Sequence, residues 1–389
     1  MKKVLVLGGG IAGIEAAIYL RKKGFKVTVV SNRDYLYIYP ISIWVPTGEK
    51  KFEDVCLPLD KLALKHGFDL LLDEVSAVKI QESAVYLKDK GVYKDFDYLV
   101  LSMGSGKLKP KGWENTLSIC GAPEDSKKIK SRVDELIKKG AGKIAVGFGG
   151  NPKDPSAVRG GPAFEVMFNI DHALRRAGLR EKFDLTFFAP MESPGARMGK
   201  KAVEDMGKMI KRLGIETRFG KKISEFTPDG ILLEDDTKIS SDFTMFISAG
   251  AGHTALQNSD LPLNEAGFVK INDYCQVEGY ENVFAIGDTA ALVGPAWKAK
   301  QGHVAEIMAR NTAHNLDQIQ KGQKDFLGYQ EHLSILCVMD SGNGAAYVHR
   351  DKTKETMLLM PFLGHWLKKG WGVYYKLSKM NKIPRLPGM

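Results

Sequence analysis

Three glycines near the start of the chain have the spacing of a phosphate-binding loop. Gly8, Gly10 and Gly13 spell G-x-G-x-x-G. In such a loop the first glycine permits a tight turn, the second lets the backbone approach a pyrophosphate, and the third lets a helix pack closely on a strand. The helix N-terminus then offers free N–H groups and partial positive charge to the phosphates. A glycine-rich turn that binds no ligand can have the same spacing, so the strands and helix on either side decide between the two interpretations.

The cysteines are the residues that could do redox chemistry. Cys56, Cys120, Cys275 and Cys337 are widely spaced and form no CxxC or CxxH pair, so neither a metal site nor a disulfide-rich secreted fold is expected. A thiolate that carries sulfur needs positive charge or a helix N-terminus to lower its pKa. Cys337 lies in ILCVMDSG, a predicted strand that ends at a turn. This segment alone favours a packed structural cysteine, and we expect the same of Cys56 and Cys275.

A strand, a helix and a second strand surround the glycine motif. Residues 3–7 predict a buried strand, a helix should continue to about Lys23, and residues 25–30 (FKVTVV) predict the second strand. This is the Rossmann βαβ context that the motif requires. The second strand usually ends in an acid that binds the adenosine ribose, but here Ser31 and Asn32 follow it. These neutral groups can still bond ribose hydroxyls, and the change weakens an NAD assignment more than an FAD one.

Two later segments favour FAD. ENVFAIGD (281–288) predicts a strand ending in Gly-Asp, followed by a helix from about Gly302. In flavoproteins with two dinucleotide folds, such a Gly-Asp places a carboxylate on the ribityl chain. YLVLSMG (98–104) resembles the strand that leads out of the FAD domain in the same proteins. We predict FAD, with contacts at Gly8, Gly10, Ala12, Gly13, Ser31, Asn32, Arg33, Gly104, Gly287, Asp288, Lys300 and Gly302.

The middle of the chain lacks a second glycine motif. KIAVGF (143–148) predicts the strand that would precede one, but Gly149 and Gly150 are followed by Pro152 and Pro155. These prolines would disrupt the helix turn that a nicotinamide dinucleotide needs. An NAD(P)H site is therefore not expected.

Several segments resemble the sulfide:quinone oxidoreductase family, which is related to flavocytochrome c sulfide dehydrogenase and type II NADH dehydrogenases. The similar segments cover essentially the whole chain: 31–48, 116–120, 160–182, 281–288, 299–306, 332–346 and the tail 366–389. The resemblance implies a flavoprotein that oxidises sulfide with redox cysteines beside FAD and passes two electrons to a membrane quinone.

The resemblance assigns roles to two cysteines and exposes one departure. Members of the family typically have three redox cysteines, of which the first corresponds to Cys120 and the third to Cys337. The second normally precedes the G-P-A-[YF]-E segment, where this chain has Arg159-Gly160. Arginine is no nucleophile, but it could lower the pKa of Cys337 or bind an anion such as hydrosulfide or polysulfide. Alternatively, it marks a site that has lost sulfide chemistry.

Other residues take roles from the same resemblance. Glu165 matches a carboxylate near flavin and quinone that can relay protons; a glutamate favoured by the helix dipole is the alternative. Lys300 and the helix beginning near Gly302 match a segment facing the flavin pyrimidine edge, where positive charge stabilises anionic reduced flavin. His303 could share that edge, although a lone histidine is more often structural.

The tail from residue 364 to 382 alternates aromatic residues with lysines. At about 100° per residue, four lysines fall in one sector roughly 100° wide: Lys368, Lys369, Lys376 and Lys379. This pattern predicts a helix in the membrane interface, with lysines reaching anionic headgroups. A helix packed on the protein with a solvated lysine face is the alternative. Gly370 and Gly372 could divide it into two short helices.

Bulk composition is that of a soluble globular protein and not of a disordered or membrane-spanning one. The chain has 389 residues, 44% hydrophobic and 26% charged, with a formal net charge of +10, which suggests an acidic partner such as nucleic acid or anionic lipid. The tail favours lipid, and we expect no nucleic acid. No transmembrane segment or export signal is evident, so we expect a peripheral protein on the cytoplasmic or inner membrane. Its sidedness and a homo-oligomeric state stay open.

The predicted fold class is α/β, with two Rossmann-like domains plus C-terminal membrane-interface helices. The FAD domain should comprise 1–107 and 238–315, the second domain 108–237, and the C-terminal region 316–389. The leading hypothesis is a sulfide:quinone oxidoreductase that releases sulfane sulfur as polysulfide. The alternatives are a quinone reductase with another donor, NADH or an organic thiol, and a non-catalytic flavin-binding membrane sensor.

Overall fold

The structure is a computed structural model that describes residues 1–385; residues 386–389, the end of the predicted tail, lie outside it. Its helices follow in chain order: α1 (Ile11–Lys22), α2 (Tyr39–Ser42), α3 (Leu59–His66), α4 (Asp125–Lys139), α5 (Gly161–Arg176), α6 (Lys200–Arg212), α7 (Thr254–Gln257), α8 (Gly302–Gln320) and α9 (Leu363–Lys379).

Strands are short and alternate with these helices. In the first part of the chain they are β1 (Lys3–Leu7), β2 (Lys26–Ser31), β3 (Tyr35–Tyr37), β4 (Cys56–Pro58), β5 (Asp69–Leu72), β6 (Val75–Lys79), β7 (Ala84–Leu87), β8 (Gly91–Tyr93), β9 (Tyr98–Leu101) and β10 (Gly106–Lys107). The middle part adds β11 (Gly142–Phe148), β12 (Phe183–Ala189), β13 (Glu216–Phe219), β14 (Ile223–Thr227), β15 (Gly230–Leu233), β16 (Lys238–Ser240) and β17 (Phe243–Ile247). The last part has β18 (Gly250–Ala251), β19 (Val269–Lys270), β20 (Val283–Ala285), β21 (Ala290–Ala291), β22 (Ile335–Asp340), β23 (Gly344–Arg350) and β24 (Glu355–Pro361).

The N-terminal sheet is parallel and supports the glycine loop. Among residues 1–385 it has five strands in the order β20-β9-β1-β2-β5, and β1 pairs with β2 from Lys3 opposite Lys26 to Leu7 opposite Val30. Most of β1 is buried, as in a parallel strand covered on both faces. Helix α1 packs against β2 and α8. The predicted strand–glycine loop–helix–strand unit is therefore confirmed.

The middle sheet is the second Rossmann-like unit. Its strands are parallel, in the order β13-β12-β11-β17, and the predicted strand 143–148 lies within β11. After β11 the chain makes a 3-10 helix at Pro155–Ala157 before α5 begins. Gly149 and Gly150 therefore do not lie at a helix N-terminus, as their neighbouring prolines predicted.

Two domain boundaries differ from the predicted ones. Strands β16 and β17 pair with the central sheets, so the chain returns toward the N-terminal domain after Ile247 rather than at residue 238. The predicted boundary at 315/316 falls inside α8, which continues to Gln320. The first predicted cut separates β16 and β17 from the strands with which they pair, and the second divides a continuous helix.

The C-terminal region consists of an antiparallel sheet, β22-β23-β24, covered by α9. Helix α9 is continuous from Leu363 to Lys379 despite Gly370 and Gly372. A Cβ at Gly372 would lie 2.8 Å from Ile41 Cγ2, so this glycine permits close packing of α9 on α2. Among residues 1–385 no helix is both long and apolar enough to cross a membrane.

The prediction that the lysines of α9 form a face that reaches lipid headgroups is wrong. Lys368 and Lys379 are only 6% and 1% exposed, and each forms an ion pair with a buried carboxylate. Lys369 pairs with Glu49, and Lys376 donates to the Asp54 carbonyl at 2.8 Å. These lysines are held by the protein rather than by lipid headgroups. A helical wheel cannot show this, because the partner carboxylates lie far away in the sequence.

Candidate flavin and redox site

One large cavity joins the glycine loop to the two family cysteines. Its volume is about 1710 Å³, and its wall includes Gly8, Asp288, Cys120 and Cys337. The segments that the sequence analysis singled out, from four separate parts of the chain, thus meet around one space. Its size and mixed lining are those of a site for a large, partly polar ligand.

The glycine loop fits a dinucleotide pyrophosphate. Gly8 has a φ of 115°, and a Cβ there would collide with the Ser102 carbonyl. A Cβ on Gly13 would collide with the Gly8 carbonyl, whereas one on Gly10 would meet no protein atom within 4 Å. Gly10 caps α1 without any side-chain hydrogen bond, so its first N–H groups lie at the cavity wall. The tight turn at Gly8, the close contact at Gly13 and the free space at Gly10 agree with this spacing, and pyrophosphate binding stays a prediction.

The other predicted FAD contacts are mostly at the same wall. Those that line the cavity are Ala12, Asn32, Arg33, Gly104, Gly287, Asp288, Lys300 and Gly302. Ser31 is an exception, because its hydroxyl donates to the Arg33 carbonyl at 2.7 Å and accepts from the Arg33 amide at 3.2 Å. Ser31 therefore shapes the turn after β2, and Asn32 is the neutral residue left to meet a ribose.

Cys337 lies beside a buried ion pair. It is on β22, and Glu165 on α5 pairs with Lys368 on α9. Burial and the Glu165 charge raise the pKa of the Cys337 thiol to about 12, although Lys368 opposes them. Burial also raises the pKa of Glu165 against the effect of Lys368. The expectation of a thiolate favoured by positive charge is therefore wrong for Cys337, which needs a base. Glu165, whose charge acts on this thiol, lines the same cavity.

Cys120 lies near two cations. Burial raises the pKa of its thiol, while Arg159 and Lys107 lower it. The guanidinium of Arg159 also forms an ion pair with Asp288, and burial beside that guanidinium lowers the pKa of Lys107 to about 8. The residue that stands in place of the family's second cysteine thus gives this part of the cavity a positive charge.

All four cysteines, which lie within the described residues 1–385, are free thiols. Cys120 and Cys337 therefore form no disulfide in this structure. Cys56 and Cys275 are not among the residues that line the cavity. Cys275 is fully buried and its pKa is raised by that burial, which agrees with the predicted packing role.

Lys300 and the start of α8 form another part of the wall. Helix α8 begins at Gly302, as predicted, with no side-chain cap on Gln301. Lys300 contacts the Ala290 carbonyl and lies 3.9 Å from the centre of the Phe268 ring. Burial lowers the pKa of Lys300 to about 7 and that of His303 to about 4. The neutral His303 bonds the Ser334 hydroxyl at 3.0 Å, in keeping with a structural role.

Sequence reasoning missed a charge cluster, most of whose members line the cavity. Glu15, in the middle of apolar α1, pairs with Lys379, Arg310 and Arg385. Lys379 also pairs with Glu306 of α8. The available signal was Glu15 itself, since a carboxylate within IAGIEAAIYL must find a cation when the helix is buried. Among residues 1–385 no group of three or more metal-ligating side chains occurs.

The fold and this cavity define a flavin-dependent oxidoreductase built from two Rossmann-like domains. The chain belongs to the pyridine nucleotide-disulphide oxidoreductase family, whose model matches residues 2–315. The predicted FAD cofactor and enzyme class are confirmed by this family and by the relatives that follow.

The relatives confirm the resemblance inferred from sequence segments. The chain is 26% identical over 406 aligned residues to a sulfide-quinone reductase of Aquifex aeolicus, covering 98% of this chain and 91% of that protein. A type II NADH:quinone oxidoreductase of Staphylococcus saprophyticus is 24% identical over 371 residues, covering 90% of each.

Solved structures show the same fold. The sulfide:quinone oxidoreductase from Aquifex aeolicus superposes with a TM-score of 0.88 at 23% identity, covering 98% of this chain and 92% of that one. NDH2 from Plasmodium falciparum in complex with NADH has a TM-score of 0.80 at 13% identity, covering 98% and 96%.

Proposed function

We propose that the protein oxidises sulfide and passes the electrons through FAD to a membrane quinone. The observation that carries the proposal is that Cys337 and Glu165 line the same cavity as the glycine loop. A sulfur-accepting thiol and its base therefore adjoin the space in which a flavin fits. The similarity to a sulfide-quinone reductase over 98% of the chain supports the same reaction.

The chemistry assigned to the protein is the formation of a persulfide on Cys337. Bound FAD supplies the two-electron acceptor. The thiol and hydrosulfide join through a new S–S bond, Cys–SH + HS⁻ giving Cys–S–S⁻, two protons and two electrons. Glu165 accepts the thiol proton, and the second proton accompanies the electron pair. A molecule of H₂S then attacks the outer sulfur and leaves as HSS⁻, while its second proton passes to Cys337, which becomes a thiol again.

Arg159 replaces the second family thiol by a cation that can hold an anionic substrate. Its guanidinium pairs with Asp288 and lies near Cys120. Guanidinium has five N–H donors, so one carboxylate leaves others to bind hydrosulfide or polysulfide. In this proposal only Cys337 carries sulfur covalently, and Arg159 attracts the substrate that reaches it.

An exposed apolar surface next to the cavity favours access to a membrane quinone. On α9, exposed residues recur at helical spacing at Leu363, Trp366, Leu367 and Val373. Phe362, just before the helix, and Leu358 and Leu359 on β24 extend this surface. We call these seven residues the apolar surface. Such a surface can enter the acyl boundary of a bilayer. Leu367 also lines the cavity, which supports a route from lipid to flavin.

Oxidation of NADH is the second candidate, favoured by the similarity to type II NADH:quinone oxidoreductases. Against it stands the connection after β11, where Gly149 and Gly150 lead into a loop and α5 begins only at Gly161. A pyrophosphate at this position would not meet a helix N-terminus as it does in a glycine-motif loop.

Anaerobic titration of the FAD-loaded protein decides between these functions. Bleaching of the visible flavin band by sulfide, with recovery on addition of a water-soluble quinone analogue, is the expected result. Bleaching by NADH alone would replace the sulfide proposal by the second candidate. A flavin that neither donor reduces would leave a flavin-binding sensor as the function.

A further inference from the structure

A second cavity lies at the end of a line of titratable groups that leads to Glu165. Its volume is about 210 Å³, and its lining is Thr47, Gly48, Glu49, Asn169, His172, Ala173 and Arg176. Glu49, in this lining, is about a quarter exposed at its side chain. Glu165, at the other end of the line, lines the large cavity. The line of titratable groups thus connects the part of the large cavity near Cys337 with the small cavity.

Three short polar contacts connect the residues of the line. His365 Nε2 lies 2.9 Å from Glu49 Oε1, and its Nδ1 lies 2.6 Å from Asp340 Oδ2. The backbone amide of Asp340 donates to Glu165 Oε1 at 2.8 Å, and the charge of the Asp340 side chain acts on the Glu165 carboxyl. Asp340 is completely buried and His365 is 7% exposed. A histidine with a carboxylate on each ring nitrogen can accept a proton on one side and release one on the other.

Asp340 is held so that one of its oxygens stays available to His365. Its Oδ1 accepts hydrogen bonds from Trp44 Nε1 at 3.0 Å and from the Gly342 amide at 2.9 Å. Of these partners, only the His365 imidazole contacts Oδ2. The other charged and titratable groups around His365 are Lys369, paired with Glu49, Lys368, paired with Glu165, and His172 in the wall of the small cavity.

We propose that Glu165, Asp340, His365 and Glu49 form a proton exit path from the cysteine side of the site to the small cavity. The inference rests on the proposed function, because persulfide formation on Cys337 releases the proton that the path carries. Glu165 takes the thiol proton and passes it to the Asp340 carboxylate through a bridging water molecule. His365 accepts it at Nδ1 and gives its Nε2 proton to Glu49, which releases it to solvent. The imidazole thus gains one proton at Nδ1 and loses one from Nε2, and a flip of the ring restores its original tautomer.

The path predicts where substitutions slow the reaction. We expect His365→Ala to slow flavin bleaching by sulfide at least tenfold, and 50 mM imidazole to restore much of that rate through the space left by the side chain. Reoxidation by a quinone analogue of the photoreduced variant should keep its wild-type rate. Restoration by imidazole separates proton transfer from a structural role, which added imidazole would not replace.

Glu49→Gln tests the outer end of the path in a partly exposed position that tolerates the change. We expect a severalfold slower bleaching step that is steeper in its dependence on pH than that of the wild type. Lys369→Met is the matched control, because it removes the same Glu49 ion pair but leaves the contact with His365. Wild-type bleaching rates in both His365→Ala and Glu49→Gln would overturn the path alone. A wild-type flavin that sulfide does not bleach would overturn the proposed function, and the path with it.

Discussion

Arg159 and Asp288 form an ion pair in the wall of the large cavity. The first occupies the position of a family cysteine, and the second is the carboxylate predicted to bind the ribityl chain. The arginine is therefore tied to the flavin end of the cavity and not simply a neutral replacement for a thiol. Its charge reaches Cys120, whose pKa it lowers against the effect of burial.

Replacing Arg159 by methionine should weaken sulfide binding. A hydrogen bond to a charged group contributes about 1.5–3 kcal/mol, so we expect the KM for sulfide to rise about tenfold or more with a smaller change in kcat. Arg159→Lys keeps the charge, so its KM for sulfide should lie between those of the wild type and Arg159→Met. Steady-state kinetics with a quinone analogue measure both constants. Equal KM values in all three proteins would show that Arg159 does not bind the substrate.

Glu165→Gln should have opposite effects on two properties of Cys337. The Glu165 charge helps to raise the pKa of the thiol to about 12, so its removal should increase the thiolate fraction and speed alkylation by iodoacetamide. The same change removes the base, so bleaching by sulfide should slow by about 100-fold. Mass spectrometry of the labelled peptide and stopped-flow absorbance provide the two readouts. Slower alkylation together with slower bleaching would contradict this assignment.

The Cys337→Ser variant tests whether Cys337 carries the sulfur. Serine cannot form a persulfide under these conditions, so sulfide-dependent bleaching should fall at least about 1000-fold while FAD stays bound. Cys56→Ser is the control, because Cys56 lies outside the cavity lining and should leave the rate unchanged. Retention of sulfide turnover by the Cys337 variant would shift the sulfur-carrying role to Cys120.

Lys300 should give the flavin potential a pH-dependent component near neutrality. Burial lowers the pKa of Lys300 to about 7, so the ammonium is present below this pH and is lost as pH rises through it. Positive charge favours reduced flavin, and the midpoint potential should therefore fall more steeply from pH 6 to 8 than in Lys300→Arg. Redox-dye titration measures the potentials. Parallel slopes in the two proteins would rule out a charge effect of Lys300.

The glycine loop and the start of α8 could be predicted because local sequence determines both. Gly8 needs a positive φ and Gly13 a close contact with its own loop, and these demands appear directly as residue types at fixed spacing. The strand that carries Cys337 was also predicted, from its run of apolar residues. Helix α1 ends within one residue of its predicted end near Lys23 because Gly24 follows it.

The charge state of the site could not be predicted, since it depends on partners that are distant in the sequence. Lys368 and Lys379 resemble solvated lysines in the tail, yet they pair with Glu165 and with Glu15. The thiol pKa of Cys337 depends on the same Glu165. Periodicity locates the lysine side of a helix, but only the fold shows whether that side meets solvent or a buried carboxylate.

The apolar surface should mediate membrane binding without help from those lysines. Burying a large apolar side chain contributes about 1.5–3 kcal/mol, so Leu359→Glu with Trp366→Glu should weaken vesicle binding about 100-fold. Phe362 and Trp366 are 73% and 67% exposed. Sedimentation with zwitterionic vesicles measures the effect, and Val92→Glu, an exposed position on β8, is the control. An equal loss of vesicle binding in Val92→Glu would show that binding does not depend on the apolar surface.

The Glu15–Lys379 pair should make stability depend on pH in the acid range. Burial alone would raise the pKa of Glu15, but Lys379, Arg385 and Arg310 outweigh it and lower the pKa to about 2. The ordinary glutamate pKa is about 4.3. Because the folded-state value is the lower one, this stabilisation is present above about pH 4.3 and is lost as pH falls toward 2.

Lys379→Met removes the central cation of this cluster and leaves Glu15 and Glu306 facing one another. Breaking a buried ion pair on one side costs about 3–5 kcal/mol, so we expect the Tm at pH 7 to fall by several degrees. Adding Glu15→Gln to this variant should recover part of the loss, because one of the two carboxylates that Lys379 bridged is then neutral. Calorimetry of the FAD-loaded proteins at pH 7 and pH 4 measures both effects. The gap between wild type and Lys379→Met should narrow at the lower pH, and a gap that stays constant would show that the pair contributes through packing instead of charge.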